Sequence, residues 1–219
     1  MQVSSHNESV VDLWQRGRDD GLVSSRANQK ERTRQAIVAA TRDLIRAGGE
    51  VTMPAVARSA LVSEATAYRY FPDLASLLRE ALAGLWPSAE IALAPVADSD
   101  DPVERVASAA EALLRHVLSY QGGVRAMIAA TITRPGGAAM RPAYRFGLID
   151  EALRPLAPGA AGLAQLKRDL AVVISAEALF TLTDLCGLSP EDAIASAVHT
   201  ARTLTQAATG KNRLAATRV

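Results

Sequence analysis

Apolar residues recur every three to four positions along most of the chain, and no stretch alternates convincingly enough for a strand. The first clear run is Lys30 to Ala47. There Ile37, Ala40, Thr41, Leu44 and Ile45 share one face, and Arg32, Arg34, Arg42 and Arg46 occupy others. Gly48-Gly49 predicts its end. Thr52 caps a short second helix through about Ser59, with Pro54 tolerated in its first turn. Ser63 caps a third, from Glu64 to about Tyr70. Phe71-Pro72 closes it, because the residue before a proline is pushed out of the helical region. Asp73 caps a fourth that carries Leu74, Leu77, Leu78, Leu82 and Leu85, interrupted at Pro87, with a weaker helical stretch to Leu93.

Residues 95–102, PVADSDDP, form the best internal boundary. Beyond them the pattern predicts helices at about 102–121, 123–133, 140–156, 163–186 and 190–208. The last opens on Ser189-Pro190-Glu191-Asp192: a cap, a proline at the first position and an acid. The expected fold is all-α. Residues 1–28 are polar and are expected to form a disordered or loosely ordered extension; 29–78 form a small head, 79–210 a larger helical body and 211–219 a tail.

Composition narrows the class. Hydrophobic residues make up 49% and aromatics only 4%, so helices must pack closely through Ala, Leu and Val. No long apolar run is free of charge, which predicts no membrane span, and the N-terminus has no apolar signal core. A single cysteine, Cys186, forbids an intramolecular disulfide, so a cytoplasmic protein is expected. Cys186 itself reads as a small packing residue. The net charge of +1 conceals an asymmetry: residues 26–71 carry eight basic and four acidic side chains, and the rest of the chain is acidic overall. A positive block of that size suits a nucleic-acid-binding head, and equally a solvated helix face.

The sequence lacks HExxH, Cys-x-x-Cys, a phosphate-binding Walker loop and the dinucleotide glycine fingerprint, and His6, His116 and His199 lie far apart. No enzyme and no cofactor is expected. A helix that reads DNA must be short, firmly held and free to present its N-terminal side chains to the major groove. Thr52–Phe71 supplies this: Val56 and Ala57 face inward, Val62 fills the turn, Tyr68 and Phe71 tie the third helix to the first and fourth, and Ser63, Glu64, Ala65, Thr66 and Arg69 stay near the exposed end.

The run VTMPAVARSALVSEATAYRYFPDLASLL resembles the DNA-binding head of the tetracycline-repressor (TetR) family. The matching residues are Thr52, Val56-Ala57, Val62-Ser63, Thr66, Tyr68, Phe71 and Leu77-Leu78; the preceding AIVAATRDLIRAGG resembles the family's first helix. Two positions depart from the pattern. Leu61 stands where the turn usually has glycine, and Leu74 where a lysine often holds a phosphate. The resemblance implies an all-α regulator with a three-helix helix-turn-helix head on a ligand-binding and dimerisation bundle. It implies that Thr52, Tyr68 and Tyr70 hold phosphates, that Glu64, Ala65 and Thr66 face the base edges with Ser63 among the DNA-binding residues, and that Arg69 sits near the backbone or a guanine. Arg32 and Arg34 would add attraction.

The resemblance also implies double-stranded DNA as partner, a small-molecule effector and a two-fold dimer. Residues 171–182 are apolar nearly all round, so helix 163–186 needs cover on more than one side. Helix 190–208 carries a stripe of Ala193, Ile194, Ala197, Ala201 and Leu204 suited to close contact. A homodimer through these two helices is expected. Candidates for the effector pocket are Trp86, His116, Tyr120, Met127, Tyr144, Asp150, Glu177 and Phe180; an ordinary core would contain such a set too. Glu177 is a charge in an apolar helix and needs a partner, at an interface or on a ligand. Arg125, Arg134, Arg141, Arg145 and Arg154 read as a solvated face or as a hint of an acidic effector. The overall expectation is a repressor released from a palindromic operator by an apolar or amphipathic molecule; the alternative is a helical small-molecule binder that has lost DNA binding.

Overall fold

In the computed structural model, the described residues are 10–83, 85–132, 136–137, 141 and 143–216, with backbone alone described at 10–26 and 211–216. They form eleven α-helices and no strand. The helices are α1 (Val10–Arg46), α2 (Met53–Ser59), α3 (Glu64–Tyr70), α4 (Leu74–Leu82), α5 (Ala89–Ala92), α6 (Pro102–Ser119), α7 (Gln121–Ile132), α8 (Tyr144–Ala152), α9 (Leu163–Val173), α10 (Ala176–Phe180) and α11 (Pro190–Ala216).

The head forms as its caps dictate. Thr52, Ser63 and Asp73 each accept a hydrogen bond from a main-chain N–H in the first turn of the helix they open: Ala55 at 3.3 Å, Thr66 at 3.1 Å and Ser76 at 2.7 Å. Ile37, Val38 and Ile45 of α1, Val56 and Ala57 of α2, Ala67 and Phe71 around α3, and Leu77, Leu78, Ala81 and Leu82 of α4 close into one buried core. Arg42 then fastens α1 to the end of α4. Its Nε donates to Ala81 O at 2.9 Å and its Nη2 reaches Glu80 O and Ala83 O, satisfying carbonyls that a helix end leaves open.

The body builds a second core around α6, whose Val106, Ala109, Ala110, Leu113, Leu114 and Val117 are buried. Its anchor is polar. Arg105, 1% exposed, donates to Val96 O, Ala97 O, Ser99 O, Glu151 O and Ala152 O, and pairs with the Glu151 carboxylate at 2.9 Å. One guanidinium thus holds the loop before α6 and the end of α8 together.

Three expected elements differ. The first helix begins at Val10, not Lys30, so the backbone of 10–28 is helical where a loose extension is expected; no proline precedes residue 54 to stop it. Residues 1–9 of that extension lie outside the described residues, as do 217–219 of the tail, and α11 continues through Ala216. The helix expected at 163–186 breaks at Ile174-Ser175. Val172-Val173-Ile174 is a β-branched run of low helix propensity, and the Ser175 hydroxyl accepts from Ala178 N at 3.0 Å while donating to Val172 O at 2.7 Å. The helix expected at 140–156 is Tyr144–Ala152; residues 138–140 and 142 lie outside the described set.

Replacing Arg105 with Ala removes the cation and leaves Glu151 and several buried carbonyls without their donor. Urea unfolding of Arg105→Ala should show a loss of about 3–5 kcal/mol.

Candidate functional site

On α3 the inward face is Ala67, Tyr70 and Phe71, at the i, i+3, i+4 spacing of a helix. Ala67 and Phe71 are buried, and Tyr70 is half-buried against the head core. Tyr68 falls about 100° round the helix from Ala67 and projects into solvent, 48% exposed. This corrects the expected packing: Tyr70, not Tyr68, ties α3 to the core. Glu64, Ala65 and Arg69 are also exposed, and Thr66 is half-buried. The Arg69 guanidinium lies 5.5 Å from the centre of the Tyr70 ring. The Ser63 hydroxyl is engaged locally, accepting from Thr66 N and donating to Thr66 Oγ1 at 2.9 Å. Thr52 likewise serves as the α2 cap.

The two arginines expected to add attraction have different fates. Arg32 is exposed on α1. Arg34 makes a two-pronged ion pair with Glu80 of α4 and lies 5.1 Å over the Phe71 ring, so its charge is compensated inside the head. Lys30 and Arg58 remain exposed.

Leu61 occupies the turn between α2 and α3 with φ +56° and is 93% exposed. Its N–H donates to Arg58 O, and Val62 N–H donates to Ala57 O at 2.9 Å, the paired closure of a helix end whose left-handed position favours glycine. Leucine pays steric strain there and packs on nothing. Leu61→Gly should raise stability by about 1 kcal/mol, read as a later urea midpoint. Leu61→Ala, which keeps the strained φ, should give no comparable gain.

In the body, a cavity of about 570 Å³, part of it open to solvent, is lined by Leu82 of α4, Trp86, Leu113 and Val117 of α6, Val124, Met127 and Ile128 of α7, Arg141, Tyr144 and Arg145, and Ser175, Ala176 and Glu177. Of the expected pocket residues it brings together Trp86, Met127, Tyr144 and Glu177. His116 and Tyr120 stand behind them in a row of rings: Tyr144 to Trp86 at 5.0 Å, Trp86 to His116 at 4.3 Å, His116 to Tyr120 at 4.8 Å. Burial pushes the His116 pKa below its usual value and the Tyr144 pKa above its own. Phe180 does not line the cavity; the Arg125 guanidinium covers its ring at 3.8 Å. Asp150 is exposed and pairs with Lys167 at 2.7 Å.

Glu177 finds its partners inside the chain. Its carboxylate accepts from Arg141 Nη1 at 2.6 Å and Arg145 Nη1 at 3.3 Å. Arg141 also donates through Nε to Thr131 Oγ1 at 2.8 Å. These two arginines line the cavity, where the sequence suggests a solvated face as one reading. Arg125 pairs with Asp184, whose carboxyl its hydrogen bonds hold at a pKa of about 2. Arg154 is largely exposed beside Glu151, and Arg134 lies outside the described residues. The apolar lining from α6 and α7 carried no distinguishing signal, since the same residues at the same spacing would fill any helical core.

The small-residue stripe of α11 is also corrected. Ala193, Ile194, Ala197 and Ala201 are buried in the body core of the same chain, and Leu204 is packed against it.

A short, capped helix presented by a supporting helix across a tight turn, with an exposed N-terminal face, defines a helix-turn-helix DNA-binding protein. Residues 37–81 match the family model for bacterial regulatory proteins of the tetR family, and the match supports a DNA-binding transcription regulator. The match covers the head alone. No curated protein matches the chain. Among the described residues no helix is long and apolar enough to cross a membrane.

Proposed function

We propose that this regulator is a repressor that works in the cytoplasm as a homodimer, holds a two-fold operator through paired α3 helices, and lets go when a small apolar or amphipathic molecule enters the body cavity. The observation that carries the reading is shared residues. Leu82 and Met127 line the cavity and are also buried in the head core, so filling the cavity acts on side chains that position α4 against the head. An effector would need unequal affinities for the DNA-competent and incompetent shapes, typically by about 1–3 kcal/mol. No catalytic role is proposed.

The DNA contacts follow from exposure and chemistry. Glu64, at the first turn of α3, offers only acceptors and is repelled by phosphates; its favourable partner in the major groove is the exocyclic amine of cytosine. Tyr68 and Tyr70 offer hydroxyls to phosphates, which carry no sequence information. Selection of binding sites from a random DNA pool tests this. Glu64→Ala should relax preference at one position per half-site by about 1–3 kcal/mol. Tyr68→Phe and Tyr70→Phe should weaken all sequences alike. Identical preferences for wild type and Glu64→Ala would leave Glu64 as a helix-dipole residue only.

The dimer is proposed through α9 to α11. Since the inner stripe of α11 is occupied, the contact uses its outer side, with His199 and Thr203, together with Val172 and Leu185, which are 72% and 82% exposed. Sedimentation should show a dimer at micromolar concentration, and a stable monomer would refute the arrangement. Ala197→Glu should unfold the body instead of separating subunits.

A further inference from the structure

The cavity has two unlike ends. Leu82, Leu113, Val117, Val124 and Ile128 make one end apolar, with the Trp86 and Tyr144 rings forming a tilted wall. The other end holds two guanidiniums, Arg141 and Arg145, against one carboxylate, Glu177. That leaves a surplus of one positive charge. The neighbouring groups do not cancel it: burial disfavours the charged form of His116, and Arg125 and Asp184 neutralise each other.

The two arginines are not equally committed. Arg141 is held at 2.6 Å by Glu177 and at 2.8 Å by Thr131. Arg145 lies 5.4 Å from the centre of the Phe146 ring and makes only long hydrogen bonds, 3.3 Å to Glu177 and 3.5 Å to Ala171 O, so most of its five N–H donors lack a good acceptor among the described residues. A second donor is idle as well. Trp86 lines the cavity, and its Nε1 is buried with no hydrogen-bond partner among the described residues.

We infer that the effector is a carboxylate borne on a compact apolar ring system, its carboxylate taken by Arg145 and its rings by the Trp86–Tyr144 end. This rests on the sensor reading above and names the class of molecule sensed. A guanidinium fork matches a carboxylate through two parallel hydrogen bonds, and Arg145 can turn to one without Arg141 releasing Glu177. A cation would meet two guanidiniums at the same end. A neutral amide would leave the surplus charge unanswered.

The test uses the full-length protein and three probes that share one body: 2-naphthoate, 2-naphthamide and 2-naphthylmethylammonium. Calorimetric titration should show naphthoate binding about tenfold tighter than the amide, with the ammonium weakest. Arg145→Gln should bring the acid-to-amide ratio close to one. Glu177→Gln, which removes the internal competitor, should strengthen naphthoate binding severalfold. Amide or ammonium binding as tight as the acid, or an acid preference that survives Arg145→Gln, overturns the assignment. Should Arg145→Gln fail to fold, Glu177→Gln decides alone: weaker naphthoate binding would refute the proposal. A separate arm measures affinity for DNA recovered from the random pool, with and without naphthoate. Arg145-dependent binding that leaves DNA affinity unchanged keeps the ligand class and overturns the sensor reading instead.

Discussion

At Gly123 the backbone of α7 comes so close to α1 that an added methyl group would sit 2.8 Å from Ile45 Cγ1. At Gly122 the corresponding atom would lie 3.2 Å from the carbonyl oxygen of Gly49. Only glycine allows this approach, and it brings the first turn of α7 against the loop that ends α1. Met127, one turn further along α7, completes the head core, while Val124 belongs to the body core. Head and body therefore meet through a shared helix and close backbone contact, not through a linker. A displacement of α7 cannot be absorbed by slack between two domains, because close-packed interiors transmit small shifts.

Arginine does much of the joining in a chain poor in aromatics. Arg42 ties α1 to α4, Arg105 ties the loop before α6 to α8, and Arg141 ties the approach to α8 to α7 and α10. Each uses the planar fork to satisfy acceptors at the ends or edges of helices, a task that lysine's single ammonium does less well. The same habit thins the electrostatic face of the head. Arg34, Arg42 and Arg46 are engaged with Glu80, with α4 carbonyls and with Asp43, leaving Lys30, Arg32, Arg58, Arg69 and Arg79 as the exposed cations without an ion pair among the described head residues. Charge counted along the sequence overstates what DNA can feel, because counting cannot see which guanidiniums are paired.

The head was legible because its signals are local. Thr52, Ser63 and Asp73 are caps that depend on residues three positions on, and Gly48 and Phe71-Pro72 end helices by backbone geometry alone. Leu61 shows how far this reaches: its place in the motif announces a left-handed turn, and the turn is left-handed in spite of the side chain. The orientation of Tyr68 and Tyr70 was not legible, since two tyrosines two positions apart look alike until the core face is fixed by Ala67 and Phe71. In the body the governing partners are distant. Glu177 is 36 residues from Arg141 and 32 from Arg145, and nothing in the local pattern pairs them. The α11 stripe read correctly as a close-contact face, yet an intrachain partner, α6, satisfies it as well as a second subunit would.

The cavity touches the head by two routes that differ in physical kind. One is direct apolar packing through Leu82 and Met127, each with one side on the cavity and the other in the head core. The other is the row of rings from Tyr144 through Trp86 and His116 to Tyr120, which packs against both cores. Packing resists compression but yields easily to separation, so on the proposed sensor reading a molecule that only fills space near Leu82 would bias the head by pushing. A row of tilted rings can respond to rotation at one end. Neither contact does anything unless the ligand prefers one head position over another, because a ligand that binds both equally shifts nothing however tightly it binds. On the proposed sensor reading, the asymmetry of the cavity would supply that preference: apolar lining on the helices that hold the head, and a charged group at Arg145, which belongs to the body alone.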